Sequence, residues 1–168
     1  AIALTGANTC TGATTVTSGI LQVDGSITSA STVESGGILA GSGQVGPVTV
    51  NNGGALLPGA VGTPGTLTVN GNLTMTSGAA YVVFANPTTI GSTLVTGAAT
   101  LDGTVVVNAQ TGQHYQAGQY TLMTVQGGIT GGSTFAALNT LGFGYSVRNP
   151  RLDYDANHVY LLFDTGTI

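Results

Sequence analysis

Apolar positions along this chain fall in short alternating runs: Thr66-Leu67-Thr68-Val69, Leu73-Thr74-Met75 and Tyr120-Thr121-Leu122-Met123-Thr124-Val125, with Val105-Val106-Val107 as a compact β-branched run. Period-two alternation sends successive side chains to opposite faces and predicts strands. Helical spacing of apolar residues is almost absent, so no amphipathic helix is predicted. Gly36-Gly37, Asn70-Gly71 and Asp102-Gly103 punctuate the runs as turns. The pattern predicts an all-β chain.

The runs also repeat. Thr15-Val16, Thr32-Val33, Thr49-Val50 and Thr66-Leu67 recur at one constant step. The second and third copies continue as Ser35-Gly36-Gly37-Ile38-Leu39 and Asn52-Gly53-Gly54-Ala55-Leu56, the first as the shorter Ser18-Gly19-Ile20-Leu21. A ~17-residue unit cannot enclose a core, so it must stack on its neighbours. Strand, glycine corner, strand and turn is the requirement for one rung of a parallel β-helix, with glycine supplying positive φ at the corner. Val16, Val33, Val50 and Leu67 are predicted to form one inner ladder, and Leu21, Leu39 and Leu56 another.

Near Asn86-Pro87 the register of this repeat ends. Five of the ten aromatics (Phe143, Tyr145, Tyr154, Tyr160, Phe163) follow residue 142, as do five of the eight charges. Arg151–Asp155 and Asn157–Phe163 read as a hairpin turning at Asp155-Ala156-Asn157. The expected organisation is β-helix rungs over 1–86 and, over 87–168, a hairpin or sandwich-like cap covering the last rung.

Composition narrows the function classes. Of 168 residues only eight are charged and none is Lys, against 28 Gly and 28 Thr, while 42% are hydrophobic. A core is possible, but the basic footprint of nucleic-acid binding is missing, as is a polybasic membrane contact. No apolar run reaches the roughly 18 residues of a spanning helix. The chain opens in mid-pattern without a basic, signal-like start and reads as a piece of a longer protein.

Candidate chemistry is thin. Cys10 is alone, excluding an internal disulfide, and reads as a small buried hydrophobe. No serine has the G-x-S-x-G setting. His114 falls in a polar loop and His158 starts a strand; both read as exposed or edge-strand residues. Asp24, Glu34 and Asp102 are isolated rather than paired for glycoside hydrolysis, and Arg148 and Arg151 sit in the cap, where they read as edge protection. Asp153, Asp155 and Asn157 occupy positions 1, 3 and 5 of a calcium-loop pattern, but His158 stands where that loop needs Gly, so the turn reading is preferred. Gly127-Gly128 and Gly131-Gly132 have neither the Lys nor the spacing of a phosphate loop. Thr-x-Thr pairs such as Thr15-x-Thr17 suggest a soluble uncharged face before an ice-binding one. No catalytic, cofactor or metal residue is expected.

Three segments carry a resemblance. Leu4-Thr5-Gly6-Ala7-Asn8-Thr9-Cys10-Thr11-Gly12-Ala13-Thr14-Thr15-Val16-Thr17-Ser18-Gly19-Ile20-Leu21-Gln22-Val23 resembles the passenger-associated β-strand repeat of bacterial autotransporters, with Cys10 where that repeat usually has an aromatic and Gly12-Ala13 in place of Gly-Gly. Gly118-Gln119-Tyr120-Thr121-Leu122-Met123 through Gly127-Gly128-Ile129 and Phe135-Ala136-Ala137-Leu138, then Leu152-Asp153-Tyr154-Asp155-Ala156-Asn157-His158-Val159-Tyr160-Leu161, resemble the C-terminal end of such passengers. The resemblance implies a right-handed parallel β-helix on the bacterial surface, exported through the outer membrane. Its C-terminal rungs would promote folding, with an effector region upstream and a translocator barrel downstream in the same polypeptide. The expected role is a non-catalytic stalk and autochaperone. The alternative is an adhesin whose Thr/Asn-rich face contacts host cells, neighbouring cells, further copies or glycans.

Overall fold

The computed structural model describes residues 1–143 and 147–165; Tyr145, counted above among the cap aromatics, lies outside them. The described chain is nearly all strand, and successive strands visit three sheets in rotation. The first circuit is β1 (Ile2–Leu4), β2 (Ala7–Asn8) and β3 (Thr14–Val16). The second is β4 (Gly19–Val23), β5 (Ser26–Ile27) and β6 (Ser31–Val33), and the third β7 (Gly37–Gly41), β8 (Gln44–Val45) and β9 (Val48–Val50). The fourth contains β10 (Ala55–Ala60), a short β11 (Thr63–Pro64), β12 (Thr66–Val69) and β13 (Leu73–Met75). The fifth is β14 (Ala80–Ala85), β15 (Ser92–Val95) and β16 (Ala99–Thr100). The sixth has β17 (Thr104–Ala109), β18 (Gly118–Val125) and a 3-10 turn at Thr130–Gly132. Then follow β19 (Ala137–Leu141), β20 (Val147–Tyr154) and β21 (His158–Thr165).

The sheets run β1-β4-β7-β10-β14-β17-β19, β2-β5-β8-β12-β15-β18-β21-β20 and β3-β6-β9-β13-β16. Pairing is parallel except where β11 folds back on β10 and where β18, β21 and β20 pair antiparallel. Parallel sheets visited in rotation are compatible with a β-helix. Parallel stacking continues past residue 86, since β17 pairs with β14, β18 with β15 and β19 with β17.

The inner ladders follow from the alternation. Leu21, Leu39, Leu56, Tyr81, Val105 and Leu138 are successive partners. Val45, Val69, Val95 and Val125 form a second file, all fully buried. The expected inward orientation of Val33, Leu39, Val50, Leu56 and Leu67 holds. The ladder assigned to Leu67 does not. Val16, Val33 and Val50 are followed by Met75, and Leu67 sits in another sheet opposite Thr93. The cause is the excursion after Pro58: Gly59 pairs with Pro64 and Ala60 with Thr63, and this small hairpin lengthens the fourth circuit. On the outer face the same register lines up Thr15, Thr32, Thr49, Thr74 and Thr100 in single file.

The glycine corner is required twice over. Gly36 has φ +89, and its N–H donates to Gly53 O at 3.0 Å while its own carbonyl accepts from Gly19 N–H at 3.1 Å. At Gly37 the constraint is space, because a Cβ there would lie 2.4 Å from the Val16 carbonyl oxygen.

The C-terminal circuits are filled by aromatics. Tyr81 stacks on Phe135 with centroids 5.8 Å apart, Tyr115 meets Phe143 edge-on at 4.8 Å, and Phe163 lies 5.2 Å from both Phe143 and Tyr120. The hairpin predicted around Asp155-Ala156-Asn157 is present, with Tyr154 opposite Val159. Its outer strand β20 ends the sheet with a register shift between Arg148 and Arg151 and with Asn149 at φ +52. That strand, carrying Pro150 and two arginines, is a poor template for further pairing.

Candidate functional site

Titratable side chains are densest at the β20–β21 turn. The Asp155 carboxylate accepts the Asn157 backbone N–H at 2.8 Å and the Tyr160 hydroxyl at 2.9 Å, and His158 Nδ1 lies 2.8 and 3.0 Å from its two oxygens. The Asn157 N–H first, with His158 and Tyr160 adding to it, holds the Asp155 carboxyl down at about 2. The hydrogen bond to Asp155 pushes the Tyr160 phenol up. Asn157 Nδ2 donates to the Val125 carbonyl at 2.7 Å and pins the turn to β18.

This arrangement is that of a braced turn. The lone pairs of Asp155 that a calcium ion would need are engaged by its own hairpin. Asp153 points to solvent from β20. Among the described residues no three His, Cys, Asp or Glu side chains gather as a metal group.

The other singled-out residues are scattered. Cys10 is exposed rather than buried. His114 is exposed in the loop before β18. His158 is not on an edge strand, because β21 lies between β18 and β20. Asp24 accepts Ser42 N–H at 3.1 Å and a Gln22 side-chain N–H at 2.7 Å, and Glu34 accepts Asn51 Nδ2 at 3.1 Å, so each braces a neighbouring circuit. Asp102 accepts the N–H of Gly103. Arg151 reaches Asp164 at 3.5 Å on an exposed surface.

Two features escape the sequence pattern. The first is internal: Tyr81, fully buried, donates its hydroxyl to the Leu122 carbonyl and accepts the Thr93 hydroxyl at 2.9 Å, tying β14 to the facing sheet. Burial pushes its phenol up. The second is an open groove of about 710 Å³ where β14 and β17 end against the β10–β11 excursion, with Pro64, Phe84, Asn86, Asn108 and Gln110 in its lining. Only the pairing of circuits brings these together; nothing in their spacing announces it.

No family model matches the chain, and no curated protein matches it.

Proposed function

We propose that this chain is a right-handed parallel β-helical part of a surface-exposed autotransporter passenger, acting as a non-catalytic stalk whose C-terminal circuits promote folding after export. The observation that supports this most is the asymmetry of the stack. At one end the first circuit buries only Val16; at the other, wider circuits enclose Tyr115, Phe135, Phe143 and Phe163 and end in an antiparallel hairpin. Aromatic burial supplies the largest apolar area per residue. A nucleus there would form first and offer β17 and β14 as templates on which earlier circuits stack.

In this reading an effector region lies upstream and a translocator barrel downstream in the same polypeptide, and the segment is extracellular. Stacking of strands needs neither a cofactor nor a catalytic group, and the dispersed carboxylates and imidazoles fit that role.

The test is display. The chain, placed ahead of a translocator barrel in a Gram-negative host, is expected to reach the surface protease-resistant. Phe163→Ala is expected to lower the resistant fraction several-fold while Thr32→Ser leaves it unchanged. Equal display of both variants overturns the proposal.

A further inference from the structure

We propose that the groove at the ends of β14 and β17 binds a neutral oligosaccharide. Its lining includes a cross-strand pair facing outward, Phe84 and Asn108, both partly exposed. Thr63 and Pro64 of the β10–β11 excursion line it as well, together with Asn86 and Gln110.

None of the lining residues is charged. Phosphate, sulfate and carboxylate ligands gain little without a cation, and cationic ligands little without a carboxylate. What the groove offers is three carboxamides beside an aromatic face: Asn108 and Gln110 with both donors and an acceptor, and Asn86 with its donors. Vicinal hydroxyls of a pyranose both donate and accept, and match such amides. The C–H face of the ring fits the negative face of Phe84.

The Asn86 amide and the Gln110 backbone are held in place. Asn86 Oδ1 accepts the N–H groups of Thr88 at 3.0 Å and Thr89 at 2.8 Å and the Thr88 hydroxyl at 2.9 Å, which orients its Nδ2. The Gln110 backbone is fixed on both sides, its N–H donating to Ala85 O at 2.8 Å and its carbonyl accepting the Tyr115 hydroxyl at 2.9 Å. The side-chain amides of Asn108 and Gln110 have no hydrogen-bond partner among the described residues, so binding breaks no internal bond. A groove that sets a few convergent polar groups beside an aromatic face is a usual form of ligand site.

The test uses the whole chain with maltohexaose, cellohexaose and chitohexaose as neutral probes and a heparin hexasaccharide as the anionic contrast, read by saturation-transfer NMR and calorimetry. At least one neutral probe is expected to bind with Kd below ~1 mM, a weak affinity of about 4 kcal/mol. Phe84→Ala and Gln110→Ala are each expected to weaken it by at least ~5-fold. Gln110 is exposed, so its variant should melt with the parent and report binding alone. Silence from all three neutral probes, preference for heparin, or binding that survives Gln110→Ala and Phe84→Ala overturns the proposal.

Discussion

Val50 and Met75 face each other in neighbouring parallel strands, a longer step along the chain than the one that brings Val33 beside Val50. The inner ladder is preserved in space although its spacing along the chain is not. The circuit absorbs the difference at a corner, through the β10–β11 excursion, and returns the next apolar residue to the same height.

The ladder's energetics can be read at Leu56, fully buried between Leu39 and Tyr81. Leu56→Ala is expected to cost about 2–5 kcal/mol in denaturant unfolding, through lost transfer energy and a cavity. Leu21→Ala should cost less, because Leu21 is only partly buried.

Corner glycines separate by mechanism. Gly37→Ala would drive a methyl into the Val16 carbonyl and is expected to destabilise by at least ~1–3 kcal/mol. Gly6→Ala meets nothing within 4 Å and should stay within about 0.5 kcal/mol of the parent. Paired thermal melts of the two variants decide it.

These cases show what the sequence made legible. Period-two alternation and the constant-step recurrence revealed strands, an inward set and the glycine corner, because each is a local demand repeated in place. The hairpin at Asp155-Ala156-Asn157 was legible for the same reason. The place of Leu67 was not: the excursion at Gly59–Pro64 carries no apolar signal, and Thr66-Leu67 looks like the next copy although it begins a different sheet. His158 likewise reads as an edge residue until β18 is seen to flank it. Tyr81 and the Phe84 groove depend on which circuit lands beside which, and that is set by circuit lengths that vary after residue 50.

Acid should loosen the hairpin over a defined window. The Asp155 carboxyl lies lower in the folded chain than its ordinary 3.8, so the unfolded state binds the proton first. Its contribution is therefore present above about 3.8 and lost as pH falls through about 2. An NMR titration of the Tyr160 ring, whose hydroxyl donates to Asp155, should show a transition near the lower value that Asp155→Asn abolishes. A midpoint at the ordinary carboxylate value would mean the turn is not braced as described.

Hydrogen exchange should rank the circuits. Amides of β17, β18 and β21, which border the aromatic cluster, are expected to exchange more slowly than those of β4 and β6, with β1–β3 fastest because they have a neighbour on one side only. The opposite order would remove the physical basis for a C-terminal folding nucleus.

The unequal circuits also make this molecule a mechanical ruler. The length of chain between strand partners is greater late in the stack than early, as between Val16 and Val33, then Val83 and Val107, and last Val107 and Thr140. Drawn out from its first residue by an optical trap, the stack would unravel one circuit at a time, because each is hydrogen-bonded chiefly to the next. Released contour lengths would be greater late in the pull than early, about 60 Å at first, then about 80 Å and finally about 110 Å. The resulting staircase, read in order, reports circuit size directly and gives the chain a direction that a pulling instrument can tell apart from its reverse.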